Sequence, residues 1–189
     1  MCNQYTHQQI CLMNRIRQLW GQHVYWTRFF IISTAADLGD LEPVTKRLLQ
    51  NSKDFAELLT SIFGVKAADQ FEKLFTEHFL IAADLVNAAK NGEADKVNAA
   101  RYRWYENADE IAVFLSSINP CRNRSKWKSM LHGHFEMTEK EAILRLQGKY
   151  TADIEILTAL KTRHSKWLTI CFAELLKNVL GNGCFLRSS

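Results

Sequence analysis

Apolar side chains recur every three or four residues over most of the chain, which is the spacing of amphipathic α-helices. The clearest case is the stretch from Gln8 to Leu38. One side of the helix predicted there carries Ile16, Trp20, His23, Thr27, Phe30 and Thr34. The pattern therefore sets one imidazole, that of His23, halfway along an apolar stripe.

Further stripes contain a histidine in the same way. His78 lies in a stripe with Phe71, Leu74, Phe75, Ile81, Ala82 and Leu85. His134 lies in a stripe with Trp127, Met130, Leu131, Met137 and Leu144. A last stripe carries His164 together with Leu157, Leu160, Leu168, Cys171 and Leu175. The repetition predicts an all-α, antiparallel helical bundle with its histidines directed inward.

Turn residues divide the chain into about six helices. We predict the first four at about residues 8–38, 41–60, 65–90 and 94–117. Gly39 is expected to end the first helix in the left-handed conformation, and Asp40 to cap the second. Asn123 or Ser125 can cap a fifth helix that begins near residue 126.

The end of the fifth helix has two candidates. Thr138-x-x-Glu141 has the form of a capping box, which would start a new helix there. Gly148 is the alternative, and the spacing favours it, since His134 and His164 stand at nearly equal separations before and after it. We therefore predict three helical hairpins, at about 8–61, 65–118 and 124–180, in a single domain over 1–189.

Each predicted hairpin brings two ligand-type side chains to one height, because antiparallel helices rise equally on both sides of their turn. His23 and Asp54 stand at nearly equal separations before and after Gly39. His78 and Glu110 are spaced similarly around Gly92. The segments RLLQNSKDFAELL and RWYENADEIAVFL also align, matching Arg47 with Arg103, Asn51 with Asn107 and Asp54 with Glu110.

Inward histidine and carboxylate groups at one level of a bundle are how helical proteins build metal sites. Such nitrogen and oxygen donors suit zinc, iron or manganese, so we expect a divalent metal ion as the cofactor, serving a redox or hydrolytic step. Asn51 and Asn107 could add ligands or support them. The candidate ligands are His23, Asp54, His78, Glu110, His134, Glu141 and His164.

A second hypothesis needs no metal. A histidine on an apolar helix face is commonly a buried imidazole that is hydrogen-bonded to a neighbour, and the two acidic residues Asp54 and Glu110 could pair with Arg47 and Arg103 or face water. The sequence contains neither Glu-x-x-His nor HExxH, the motifs of known helical metal sites. The protein would then be a non-enzymatic structural or interaction bundle.

The composition of the chain limits which binding partners and which cellular location we expect. The net charge of +4 is spread over mixed-sign segments such as KNGEADK, which disfavours nucleic-acid binding. No apolar run reaches the roughly 18 residues of a membrane span, and the first residues lack the pattern of a signal peptide. Five cysteines without a CxxC pair indicate free thiols in a reducing compartment. We expect a cytoplasmic protein, with a homodimer possible through aromatic helix seams.

Four runs of the sequence carry a resemblance to a known family. They are LWGQHVYWTRFFIISTAADLGDLEPVTKRLLQN, EHFLIAADLVNAAKNG, WYENADEIAVFLSSINP and MLHGHFEMTEKEAILRLQGKY. Over about residues 8–158 the chain resembles an uncharacterised family of small helical proteins from spore-forming, Gram-positive-type bacteria. The resemblance implies a loosely ferritin-like or hemerythrin-like bundle and no established function.

The same resemblance maps recurrent family positions onto this chain. The family's histidines match His23, His78 and His134. Its acidic positions match Asp54, Asp109, Glu110 and Glu141, whereas His164 lies beyond Leu157, where this chain departs from the family pattern. Some members carry the label acetylglutamate kinase, which the sequence contradicts, because it contains neither GxGxxG nor GxxxxGK and no alternation of strands with helices.

Overall fold

The computed structural model describes residues 6–119 and 123–163, and these residues form six α-helices and no strand. The first five are α1 His7–Ala35, α2 Leu41–Phe63, α3 Val65–Lys90, α4 Ala94–Ile118 and α5 Arg124–Leu146. The sixth, α6, spans 150–163. The prediction of an all-α bundle is confirmed. None of the helices in the described ranges is long and apolar enough to cross a membrane.

Consecutive helices from α1 to α5 pack against one another, and α1, α3 and α5 also contact each other pairwise. These last three helices are the ones that carry the described histidine stripes. Two apolar clusters fill the space between the helices. The larger includes Leu19, Phe30, Phe55, Phe71 and Phe75, and the smaller includes Leu85, Trp104, Ile111, Leu131 and Phe135.

A single residue, Gly64, joins α2 to α3, although the sequence predicts a longer connection there. Helix α2 continues to Phe63, beyond the expected end at Thr60, and Gly64 ends α2 and begins α3 at φ 81° and ψ 169°. Glycine is required at this positive φ because a side chain would be strained there. The tight link makes α2 and α3 direct antiparallel neighbours.

The end of α1 differs from the prediction. The helix ends at Ala35, and Asp37, with φ 53°, takes the left-handed conformation that the sequence predicts for Gly39. Aspartate tolerates this conformation better than most residues. Lys90 stabilises the turn, since its Nζ donates to the carbonyl of Thr34 at 2.7 Å and to the Asp37 carboxylate. Asp40 precedes α2 but makes no side-chain capping bond.

Helix α5 passes through Thr138 without a break and ends before Gly148, which has φ 72°. The turn at Gly148 is therefore confirmed, and the capping box considered at Thr138 does not form. Of the two caps that the sequence suggests, Asn123 caps the start of α5, by accepting from the Ser125 backbone at 2.8 Å, and the helix begins at Arg124, two residues earlier than expected. Only the first part of the third predicted hairpin can be compared, because residues 164–180 lie outside the described residues.

Candidate metal centre

The imidazoles of His23, His78 and His134 converge in the core. Each residue offers one ring nitrogen, and these three atoms lie within 4.8 Å of one another. The ring centroids are 5.6 Å apart for His23 and His134, and 6.1 Å for each of the other two pairs. All three residues are buried, at 2%, 3% and 4% exposure. The predicted convergence of histidines from three separate helices is confirmed.

A repeated pair of contacts explains how two of these helices hold the same height. The buried Asn51 of α2 donates its Nδ2 to the carbonyl of Leu19 in α1, at 3.1 Å. Asn107 of α4 donates in the same way to Leu74 in α3, also at 3.1 Å. Leu19 and Leu74 each stand one helical turn before a cluster histidine, so the side-chain bond fixes the register of both helix pairs.

Arginines add a second repeated contact at the edge of the bundle. Arg47 binds Gln22 on α1 at 3.1 Å, and it also pairs with Asp54 on its own helix. Arg103 binds Glu77 on α3 and pairs with Glu110. Gln22 and Glu77 directly precede the two histidines. The aligned residues of the sequence are thus equivalent in space, and they clamp each histidine helix to its neighbour.

Aromatic rings enclose the imidazoles. His78 stacks on Phe135 and Trp104, at centroid distances of 4.6 and 5.4 Å, and His23 stacks on Phe79 at 5.2 Å. Burial among these rings lowers the pKa of His78 to about 3, because an apolar environment disfavours the charged imidazolium. His78 is therefore neutral at physiological pH, the state in which an imidazole can bind a metal ion.

A hydrogen bond sets the tautomer of His78. Trp104 Nε1, an obligate donor, lies 2.8 Å from His78 Nδ1 and 3.2 Å from the His78 carbonyl. The neutral ring accepts at Nδ1, so we assign its proton to Nε2. This arrangement is the reverse of the usual one, in which a ligating histidine donates its second N–H to an acceptor.

The contact with Thr138 favours the opposite tautomer for His134. The Thr138 hydroxyl donates to the His134 carbonyl at 3.0 Å, so its oxygen can only accept from His134 Nδ1, 3.4 Å away. We therefore assign the His134 proton to Nδ1, which leaves a lone pair on Nε2. His134 matches the common form of a metal ligand more closely than His78 does.

Two predicted carboxylate ligands lie away from the histidines. Asp54 pairs with Arg47 at 3.2 Å, and Glu110 pairs with Arg103 at 3.2 Å, with side-chain exposures of 21% and 48%. The buried stripes of α2 and α4 pass through Asn51 and Asn107 instead, just under one turn earlier in each helix. This offset turns the carboxylates toward the helix edge, where the arginines of the repeat hold them.

Glu141 is buried but belongs to a different group. Two turns of α5, about 10 Å, separate it from His134. Arg28 pairs with Glu141 at 2.9 Å and with the fully buried Asp153 of α6 at 2.6 Å. Burial raises the pKa of Glu141, and the bond from Arg28 opposes that shift. The predicted ligand thus forms part of an ion-pair group between α1, α5 and α6.

The sequence suggests two further residues, His164 and Asp109. His164 lies outside the described residues. Asp109, one of the positions suggested by the family resemblance, pairs with Lys128 at 2.6 Å and with His132 at 2.8 Å near the surface. Among the described histidines, cysteines and acidic residues, only the three cluster histidines form a group that could hold a metal ion.

Sequence reasoning misses the partners that control the imidazoles. An aromatic residue such as Trp104 is expected to pack in the core or at a helix seam, and it does lie in the core, but its N–H also binds His78. The sequence presents Thr138 only as a candidate helix cap. A signal for Trp104 does exist in the repeat, because the equivalent position of the first hairpin is Leu48, and the exchange of an aliphatic residue for a hydrogen-bond donor marks a local difference.

Comparison with known proteins finds no family model, no curated protein and no solved structure that matches this chain. The case for a function therefore comes from the chemistry of the histidine cluster.

Proposed function

We propose that this protein binds a transition-metal ion through His23, His78 and His134. The observation that carries the proposal is the convergence of three buried imidazole nitrogens within 4.8 Å. A metal ion about 2.1 Å from each nitrogen would place the nitrogens about 3.4 Å apart. Each ring would therefore move inward by less than about 1 Å to reach these bond lengths, which small side-chain rotations supply.

The donor set favours some metals over others. Three imidazoles without a carboxylate suit zinc, copper, iron or nickel, whereas manganese prefers oxygen ligands. Of the three metals that the sequence suggests, zinc and iron fit this set better than manganese. Three protein ligands also leave a coordination position open, as in catalytic zinc sites, which is compatible with a redox or hydrolytic role.

Metal binding at His78 has a specific requirement. A metal ion at Nε2 would replace the proton that the Trp104 bond places there, so loading the site releases a proton and leaves the ring as an imidazolate. Trp104 can instead donate to the His78 carbonyl, 3.2 Å away. The His78 proton could then move to Nδ1, and Nε2 would bind the metal as part of a neutral imidazole. Affinity should accordingly rise with pH.

The test is metal analysis of protein purified without a histidine tag, followed by titration with zinc and cobalt. We expect one equivalent to bind the wild type and none to bind the His23→Ala/His78→Ala double variant. His132→Ala is the matched control, because His132 pairs with Asp109 at 2.8 Å outside the cluster, and it should bind normally. Equally weak binding by all three proteins would refute the proposal.

The Trp104 bond favours a second candidate function, that of a structural or interaction bundle without metal. His78 already accepts a hydrogen bond from Trp104 at Nδ1, as a buried imidazole does in a core that holds no metal. This candidate predicts that metals leave the melting temperature unchanged. It also predicts that His78→Ala destabilises the fold by about 2–4 kcal/mol, as a core cavity does.

A further inference from the structure

A small cavity lies beside the histidine cluster. Its volume is about 20 Å³, and all three cluster histidines line it together with apolar side chains such as Phe30, Ile31 and Leu48. A cavity holds one water molecule when this volume reaches about 10–15 Å³, so this one has room for one or two non-hydrogen atoms. An organic substrate would not fit.

One hydroxyl group on the cavity wall, that of Thr27, makes no hydrogen bond within the described residues. Thr27, one turn after His23 on α1, has a buried Oγ1 without a hydrogen-bond partner in the described part of the chain. The other lining hydroxyl, that of Thr138, donates to the His134 carbonyl. A buried hydroxyl without a partner is unfavourable, so Thr27 Oγ1 is placed to donate a hydrogen bond to a species that enters the cavity.

Charge determines what that species should be. A divalent ion on three neutral imidazoles would place two positive charges in an apolar core, and one would remain if His78 became an imidazolate. Glu139 is the acidic residue that lines the cavity, and it is already paired with Arg101 at 2.6 Å. An anion at the open coordination position would remove the remaining charge.

We propose that the fourth metal ligand is a small anion, hydroxide or another anion of one or two heavy atoms, which Thr27 Oγ1 holds by a hydrogen bond. This inference rests on the metal site proposed above, and it defines the class of ligand that the site admits. It also assigns Thr27 as the residue that positions this ligand.

The experiment uses the whole 189-residue chain loaded with cobalt, whose visible absorption reports coordination geometry. Cyanide, with two heavy atoms, should shift the spectrum, whereas the larger thiocyanate should not. Thr27→Val should weaken cyanide binding about five- to tenfold, the loss expected for one hydrogen bond. Thr34→Val is the matched control, since Thr34 Oγ1 is also buried on α1 without a partner in the described residues but does not line the cavity.

The outcomes separate the two proposals. Failure of the wild type to bind cobalt refutes the metal site and this inference together. Cobalt binding without a response to cyanide, equal binding of thiocyanate, or equal losses in the two threonine variants overturns the inference alone. Both variants keep the side-chain shape and remove an unpaired hydroxyl, so we expect neither to lower the melting temperature.

Discussion

The α1–α2 and α3–α4 helix pairs are built alike but treat their histidines differently. In both pairs a buried asparagine, Asn51 or Asn107, donates to the carbonyl one turn before the histidine. In both pairs an arginine of the second helix, Arg47 or Arg103, binds the side chain of the residue that directly precedes the histidine. These shared contacts fix where the histidine stands along the bundle.

The difference lies one residue after each arginine. The second pair has Trp104, which donates to His78 Nδ1 at 2.8 Å, whereas the first pair has Leu48, which has no side-chain donor. The shared contacts therefore set the height of both imidazoles along the bundle. The single unmatched position, Trp104, determines which nitrogen of His78 carries the proton. Changes that act on the shared contacts should affect both pairs equally, whereas changes at the unmatched position should affect the protonation of His78 and not that of His23.

The largest expected effect is a loss of folding stability at acid pH. The pKa of His78 is about 3 in the folded protein, below its usual 6.5, so the unfolded chain binds the extra proton between these values. The contribution of His78 to stability is complete above pH 6.5 and is lost as the pH falls toward 3, at about 1.4 kcal/mol per unit. Urea unfolding of metal-free protein between pH 7 and pH 4 would measure it.

His78→Gln tests this assignment, because glutamine keeps a polar side chain that does not titrate. The slope of unfolding free energy against pH should fall by close to one proton in the variant. An unchanged slope would show that other groups carry the acid dependence.

The next effect concerns the shared asparagines. Asn51→Ala and Asn107→Ala should each destabilise the fold by about 1–3 kcal/mol, because each removes a buried hydrogen bond between helices and leaves a small void. Similar losses in the two variants would confirm that the contacts are equivalent. Asn87→Ala, at an exposed position of α3, is the control and should change stability by less than about 0.5 kcal/mol.

A smaller effect is expected at the unmatched position. Trp104→Phe keeps an aromatic ring against His78 but removes the donor, so the His78 proton can move to Nδ1 and Nε2 can bind a metal as a neutral imidazole. We expect zinc affinity at pH 7 to rise by up to about tenfold, the equivalent of one hydrogen bond. Isothermal titration calorimetry would measure the change. Weaker binding would mean that Trp104 stabilises an imidazolate ligand instead.

The smallest effect should come from the arginines at the bundle edge. Arg47→Ala and Arg103→Ala remove partly exposed ion pairs, which usually contribute less than about 1 kcal/mol. Thermal unfolding at low and high salt would show a small loss that salt diminishes. A loss well above this range in either variant would assign the arginines a larger role in holding the histidine helices.

The fold was largely predictable because its determinants are local. Periodic apolar stripes identify the helices, and Gly92 and Gly148 mark two of the turns by their tolerance of positive φ. The end of α1 was not predictable, since it depends on Lys90, which reaches the Asp37 turn from the far end of α3. Contacts between residues so distant in sequence leave no periodic signal.

The site was predictable in part for a related reason. Equal distances from the turns place the histidines of α1, α3 and α5 at one level, and the structure confirms it. The same counting gives height but not direction around the helix, and one residue of offset rotates a side chain by about 100°. Asp54 and Glu110 thus stand at a suitable height while their carboxylates face arginines at the edge.

The one-residue link at Gly64 has a consequence for how this protein can vary. With no slack between α2 and α3, an inserted residue cannot be absorbed as a longer loop unless a helical turn unwinds, and one added within α3 ahead of His78 would swing that imidazole about a quarter turn out of the core. Insertions should therefore be tolerated at the bends around Gly39 and Gly92 far better than at Gly64. The junction therefore fixes the rotation of α3 about its axis relative to α2, and with it the relative register of the two halves of the repeat.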